Sequence, residues 1–156
     1  MKPLKAAANI AAGVAACTLV IFGSQPAHAV TYSVAAYSAN GASHGEGVYR
    51  YFQPGGECDY ASYQAGFSGS IADVKRFDTY GAALKVTYQR CTARPSGTIQ
   101  WEYQEEIIGY NGPSGTWPDR TTVSETWADV KDVHFFTCNW NPSTGTVGTC
   151  ARMTKQ

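Results

Sequence analysis

The sequence predicts an all-β protein: an antiparallel β-sandwich or barrel with two disulfides, preceded by a cleavable signal peptide. Three observations carry this reading. Short segments alternate apolar and polar residues with a period of two, and clusters of Gly and Pro separate them at the spacing of strands. Four of the five cysteines, Cys58, Cys91, Cys138 and Cys150, lie beyond an apolar leader, and an even number in an exported chain implies disulfides. The segment from His134 to Met153 places two β-prone arms around Asn141-Pro142-Ser143-Thr144-Gly145, a hairpin signal.

Residues 1–29 read as the leader. Lys2 and Lys5 form a basic start, Ala6 to Gly23 is almost wholly apolar, and Ser24-Gln25-Pro26 breaks the run. Ala27-His28-Ala29 is a small-x-small processing site, so cleavage is expected after Ala29. The apolar length would also suit a membrane anchor, but the proline break and the processing site favour removal. Val14-Ala15-Ala16-Cys17 resembles a lipobox, yet Thr18 to Phe22 stays apolar beyond that cysteine, which makes Cys17 a spectator. Residues 30–156 then form a single secreted β domain, long enough for its own core.

The elements follow in order. Val30 to Ala39 alternates, with Val30, Tyr32, Val34 and Ala36 on one face. Asn40 to Gly47 reads as a loop and Val48 to Gln53 as a second strand, ended by Pro54-Gly55-Gly56. A third strand is expected over Cys58 to Ala65. Ile71 to Phe77 reads as a strand, although Ser70 would also suit a helix N-cap. Ala82 to Cys91 puts Leu84, Val86 and Tyr88 on one face and Lys85, Thr87 and Gln89 on the other. Arg94 to Gly97 turns the chain. Thr98 to Ile108 returns with Ile99, Trp101, Tyr103 and Ile107 expected inward and Gln100, Glu102, Gln104 and Glu106 outward. Gly109 to Pro118 is a loop, and strands follow over Arg120 to Trp127 and Val130 to Trp140.

Folding the last hairpin about Thr144 sets Cys138 directly opposite Cys150. Opposed residues at a non-hydrogen-bonded position have Cα atoms about 4.5 Å apart, within disulfide reach. Cys138–Cys150 therefore pair, which leaves Cys58–Cys91. The cysteines lack the paired short spacings of a metal site, and no metal ligand or cofactor is assigned.

The chain has 12 basic and 12 acidic residues; losing Lys2 and Lys5 leaves 10 against 12, a net charge of −2. That balance gives no electrostatic reason to bind nucleic acid, or a membrane once the leader is gone. Basic runs, heptads and internal repeats are absent from the sequence.

Four groups of residues are chemical candidates. Gly41-Ala42-Ser43-His44-Gly45 matches the G-x-S-x-G elbow, but that motif works on a strand-to-helix turn, and a strand follows here. Glu102 and Glu106 share a strand face about 13–14 Å apart along an extended chain, too far for a glycosidase pair of about 5–9.5 Å. Either of them with Glu125 on another strand keeps a carboxylate-dependent hydrolase in view. Glu105 falls on the apolar face, and a bulge that turns it to solvent is the favoured account. Aromatic rings are the fourth group: Tyr49, Tyr51, Trp117 and Trp140 are the candidate binding residues, because exposed rings stack on sugars or anchor proteins. No catalytic residue is assigned. The expected function is a non-enzymatic extracellular binding module for carbohydrate, peptide or protein, with an enzyme inhibitor or toxin acting through the Asn141 to Gly145 loop as an alternative.

Overall fold

The computed structural model describes residues 28–53, 58, 64–75, 77–113 and 119–156. Nine strands run in chain order: β1 (His28–Tyr37), β2 (Ser43–Gln53), β3 (Gln64–Asp73), β4 (Gly81–Ala93), β5 (Ile99–Asn111), β6 (Thr121–Ala128), β7 (Val130–Asn141), β8 (Thr146–Arg152) and β9 (Thr154–Lys155). They form a five-stranded sheet in the order β6-β3-β2-β1-β9 and a four-stranded sheet in the order β5-β4-β7-β8. All neighbours are antiparallel, and the two sheets pack as a sandwich.

Alternation places the core. Ile71, Leu84, Val86 and Val130 are fully buried between the sheets. Phe135 of β7 is the hub of the aromatic packing. Its ring centroid lies 4.6 Å from Phe67, 5.3 Å from Tyr49 and 5.9 Å from Trp127, all on the opposite sheet. Such tilted and edge contacts suit aromatic quadrupoles, and truncating a buried ring of this kind costs about 3–5 kcal/mol.

β2 begins earlier than the composition suggests, at Ser43 within the expected loop. Glycine lets it do so. Gly47 lies directly opposite Gly69, and the Phe67 ring occupies the space that a Cβ on either would need. The aromatic ring replaces the two missing side chains, a packing device that stabilises glycine pairs in sheets. β3 also departs from expectation. It starts at Gln64, and residues 59–63 of the expected third strand lie outside the described residues. It ends at Asp73, where Asp73 Oδ1 accepts the Lys75 amide. Phe77, with φ at 64°, is in the left-handed region and cannot continue a strand.

The faces of β5 are the main correction. Val86, Tyr88 and Arg90 stand directly opposite Glu106, Gln104 and Glu102. Opposed residues share a face, so the polar side of β5 points between the sheets. Ile99, Trp101, Tyr103 and Ile107 therefore face outward, contrary to the sequence expectation. The inner acid is held: Glu106 Oε1 accepts the Trp127 indole N–H at 2.5 Å, and the Tyr88 hydroxyl bonds the same carboxylate. Glu105 is exposed because it lies on the outer face of this strand. It pairs with Lys85 at 3.3 Å, and the bulge on this strand lies at Ile108, beyond it.

Two strands pass from one sheet to the other through a single residue each. Asp129, at φ 57°, separates β6 from β7, and its carbonyl accepts the Cys91 amide at 2.8 Å. Buried Met153 separates β8 from β9, and its amide reaches the Phe135 carbonyl at 2.8 Å. Corners of this kind let one strand serve two sheets.

Both expected disulfides form. Cys138 is directly opposite Cys150 with Cα atoms 4.0 Å apart, and Cys58–Cys91 has Cα atoms 5.5 Å apart. In the loop-entropy account a bridge closing a loop this short stabilises by about 3 kcal/mol. The paired change Cys138→Ala with Cys150→Ala should lower unfolding stability by about that amount in a guanidinium titration. A loss under about 1 kcal/mol would show that the hairpin holds its register without the bridge.

Candidate functional site

A cleft of about 860 Å³ lies beside the two corners, between β1, β2 and β9 of one sheet and β7 and the end of β8 of the other. That is within the usual size of a ligand pocket. Its floor is built from tyrosines. Tyr32 lies opposite Tyr49 across the β1–β2 ladder, with ring centroids 5.1 Å apart, and Tyr51 stacks on Tyr49 at 6.1 Å. Alternation places all three on the inner face, and Phe135 meets them from the facing sheet.

Five charged residues border the cleft, Lys131, Asp132, His134, Arg152 and Lys155, but register turns the side chains of Lys131, His134 and Arg152 to the outer side of the four-stranded sheet. A bulge on β7 arranges Lys131, Asp132 and His134. Gln89 opposes Lys131 but Thr87 opposes His134, so Asp132 and Val133 together face Tyr88. Asp132 absorbs the extra residue with φ at 52°. The bulge keeps Val130, Val133 and Phe135 in the core while Asp132 turns to solvent. Lys155 opposes Val34 and so takes the inner face, with Nζ 5.5 Å from the Tyr32 ring centroid.

The electrostatics are directional. Arg152 Nη2 lies 2.7 Å from His134 Nδ1. A guanidinium only donates, so Nδ1 accepts and the imidazole is neutral with its proton on Nε2. Burial and then the Arg152 charge hold the His134 pKa below its ordinary value, against the opposing pull of Asp132 and a hydrogen bond to the Val133 backbone. The Arg152–His134 pair and Lys131 thus belong to the outer side of the four-stranded sheet, while Lys155 faces the cleft. Burial, and then the neighbouring Tyr32, Tyr51 and Asp132, push the Tyr49 hydroxyl above the ordinary phenol range.

The four aromatic candidates divide. Tyr49 is buried in the cleft floor and Tyr51 is half-buried there. Trp140 lies on the far side of the four-stranded sheet, its ring 4.6 Å from that of Tyr110. Trp117 lies outside the described residues. The sequence reading missed Lys155, because only the corner at Met153 brings it beside Tyr32. Tyr32 was within reach: it shares the alternating face of Val30 and Val34.

The outer side of the four-stranded sheet is a second aromatic surface. Lys131 Nζ sits 4.3 Å from the Trp101 ring centroid and Lys85 Nζ 5.2 Å from Phe136, while Tyr103 is 65 % exposed. The rings there are spaced by lysines and the Lys85–Glu105 pair, so they form no continuous apolar patch.

The remaining candidates have structural roles. Ser43 is fully buried at the start of β2, and its hydroxyl lies 3.2 Å from Asn139 Oδ1 and 3.4 Å from the Gly81 carbonyl, tying three strands together. Glu106 is engaged by Trp127 and Tyr88, and Glu102 accepts Gln100 at 2.6 Å. The Asn141 to Gly145 tip is ordered by its own bonds: Asn141 Oδ1 accepts the Ser143 amide at 3.0 Å, and Gly145 takes φ 69°. Among the described residues no group of three or more His, Cys, Asp and Glu is placed to hold a metal, and no helix is long and apolar enough to cross a membrane. None of the family models, curated proteins or solved structures compared with the chain matches it.

The Tyr49 shift has a sign that stability measurements can read. Its folded pKa exceeds the unfolded one, so folded chains keep a proton that unfolded chains release above about pH 10. That contribution is intact below about pH 10 and is lost as pH rises past it. Urea midpoints should fall more steeply from about pH 9 to 11 in the parent protein than in Tyr49→Phe. Equal slopes would show that the hydroxyl is as well solvated folded as unfolded.

Proposed function

We propose that this chain is a non-enzymatic binding module of an exported protein, and that its ligand seats in the cleft between the sheets, against Tyr32 and Tyr51. The observation that carries this reading is the combination in one cavity of a tyrosine floor and the Lys155 ammonium beside the Tyr32 ring. Tyrosine suits such a floor: it offers a large contact area, a polar edge and few rotatable bonds to freeze. A cation beside that floor offers a ligand a charged contact that fixes its orientation.

Two further features support it. Two disulfides fit an oxidising, extracellular setting. The leader read from residues 1–29 accounts for export, with maturation after Ala29 and no membrane attachment thereafter. The polar groups that sequence patterns single out as catalytic candidates, Ser43 and Glu106, are occupied in holding strands together. A binding role explains the chain without asking them to react.

The test is a panel of glycans and peptides titrated against the oxidised protein by calorimetry and by amide shift mapping. A ligand should perturb β1, β2 and the β7 bulge. Tyr51→Ala should weaken it by about tenfold or more, and Trp140→Ala should change it by less than about twofold. Shifts confined to Trp101, Tyr103 and Trp140 would move the site to the outer sheet face and reject the cleft.

A further inference from the structure

Two opposite charges share the cleft without meeting. Asp132 and Lys155 both line it, and among the described residues neither belongs to an ion pair. Register places each of them. Asp132 and Val133 together face Tyr88, a core residue of β4, so the bulge brings Asp132 to the cleft side of β7. Its charge acts on the Tyr49 hydroxyl from there. Lys155 comes from the other sheet, opposite Val34 of β1.

The floor between them is aromatic. Tyr51 stands opposite Ala65, and Ala65 opposite Trp127. The Trp127 ring lies 6.1 Å from that of Tyr88, the residue that Asp132 faces. Tyr51 therefore belongs to the Asp132 end of the cleft. Tyr32 belongs to the Lys155 end, with the ammonium 5.5 Å from its ring centroid. Val30, the partner of Tyr51, and Tyr32 are two residues apart on β1, so the two ends lie about 7 Å apart along the strand.

A ligand that satisfies both ends carries a cation and an anion spaced to match. What receives the cation decides its form. A primary ammonium brings three N–H donors, and the Asp132 end offers one carboxylate beside the Tyr51 ring. A quaternary ammonium has no donor to satisfy, and ring faces attract it through their quadrupole. The anion meets a lysine, a point charge that suits phosphate oxygens. A betaine, with one carbon between its charges, is too short to reach both ends.

We propose that the cleft binds the choline phosphate group, with its trimethylammonium against Tyr51 and Asp132 and its phosphate on Lys155. This rests on the cleft being the binding site.

The test titrates the oxidised protein by calorimetry with phosphocholine, choline chloride, phosphoethanolamine and glycine betaine. Phosphocholine should bind about tenfold or more tighter than the other three. Lys155→Gln should bring phosphocholine down to the level of choline and leave choline unchanged. Asp132→Asn should weaken both by about tenfold. Both side chains are exposed, and asparagine tolerates the left-handed backbone at position 132, so urea midpoints should not move. Vesicles of phosphatidylcholine separate the two sources of the group. Co-sedimentation with them assigns a lipid headgroup, and phosphocholine binding without it assigns a soluble ligand. Equal affinity for phosphocholine and phosphoethanolamine would overturn the proposal, as would a phosphocholine affinity that neither substitution alters. If phosphocholine fails to bind while another ligand perturbs β1, β2 and the β7 bulge, the cleft reading survives and the choline phosphate assignment fails. If phosphocholine perturbs only the outer face of the four-stranded sheet, both fail.

Discussion

Two single-residue corners, at Asp129 and Met153, set the relation between the sheets. A strand that bends across a sandwich through one residue has no slack, so the sheets must meet wherever such a corner stands. Each corner is fastened to the four-stranded sheet by a backbone bond, Asp129 through the Cys91 amide and Met153 through the Phe135 carbonyl. The cleft lies alongside the segments that leave those corners. Lys131 to Phe135 follows the first, and Arg152 to Lys155 surrounds the second. Aromatic residues of both sheets line one cavity beside the point where the chain crosses twice.

Within the four-stranded sheet, β4 governs which way its neighbours face. Its inner residues Leu84 and Val86 are fully buried, and register then leaves β5 no choice. The acid side of β5 goes in, at the cost of desolvating a carboxylate. Two donors, from Trp127 and Tyr88, offset that cost at Glu106. The apolar side goes out, where lysines lie over its rings and neighbouring aromatics. Cross-strand partners thus outrank a strand's own pattern at a sheet edge, because an edge strand has only one neighbour to answer to and little core to fill.

That ordering explains what was legible in the sequence. The alternation of β1 and β4 could be read directly, since each has one face against a full core. The Cys138–Cys150 bridge followed from the arithmetic of one hairpin. The inward side of β5 could not be read, because its pattern is the reverse of its burial. The early start of β2 was hidden by Gly45 and Gly47, which resemble loop residues until Thr137 and Ile71 close over the first and Phe67 over the second. Tyr49 and Tyr51 could be named as candidates from their aromatic character. Lys155 could not, for its place beside Tyr32 depends on the corner at Met153. Glu105 drew notice as a carboxylate among apolar residues, and its setting is ordinary once that face is known to be the outer one.

The unequal edges give the molecule its direction. Bulges interrupt both outer ladders of the four-stranded sheet, whereas β1 stays regular up to the cavity and is covered by β9 at two positions. Among the described residues the Thr31 side of that ladder has no partner, and it lies beside the tyrosine-floored cleft on which the functional account stands. Residue-resolved amide hydrogen exchange along β1 tests it most directly. The account predicts alternation: Tyr32 and Val34, bonded to β2, exchange slowly, while Thr31 exchanges at a rate close to that of an unprotected amide. Protection of Thr31 equal to that of Tyr32 would mean that the edge is already filled, and would contradict it.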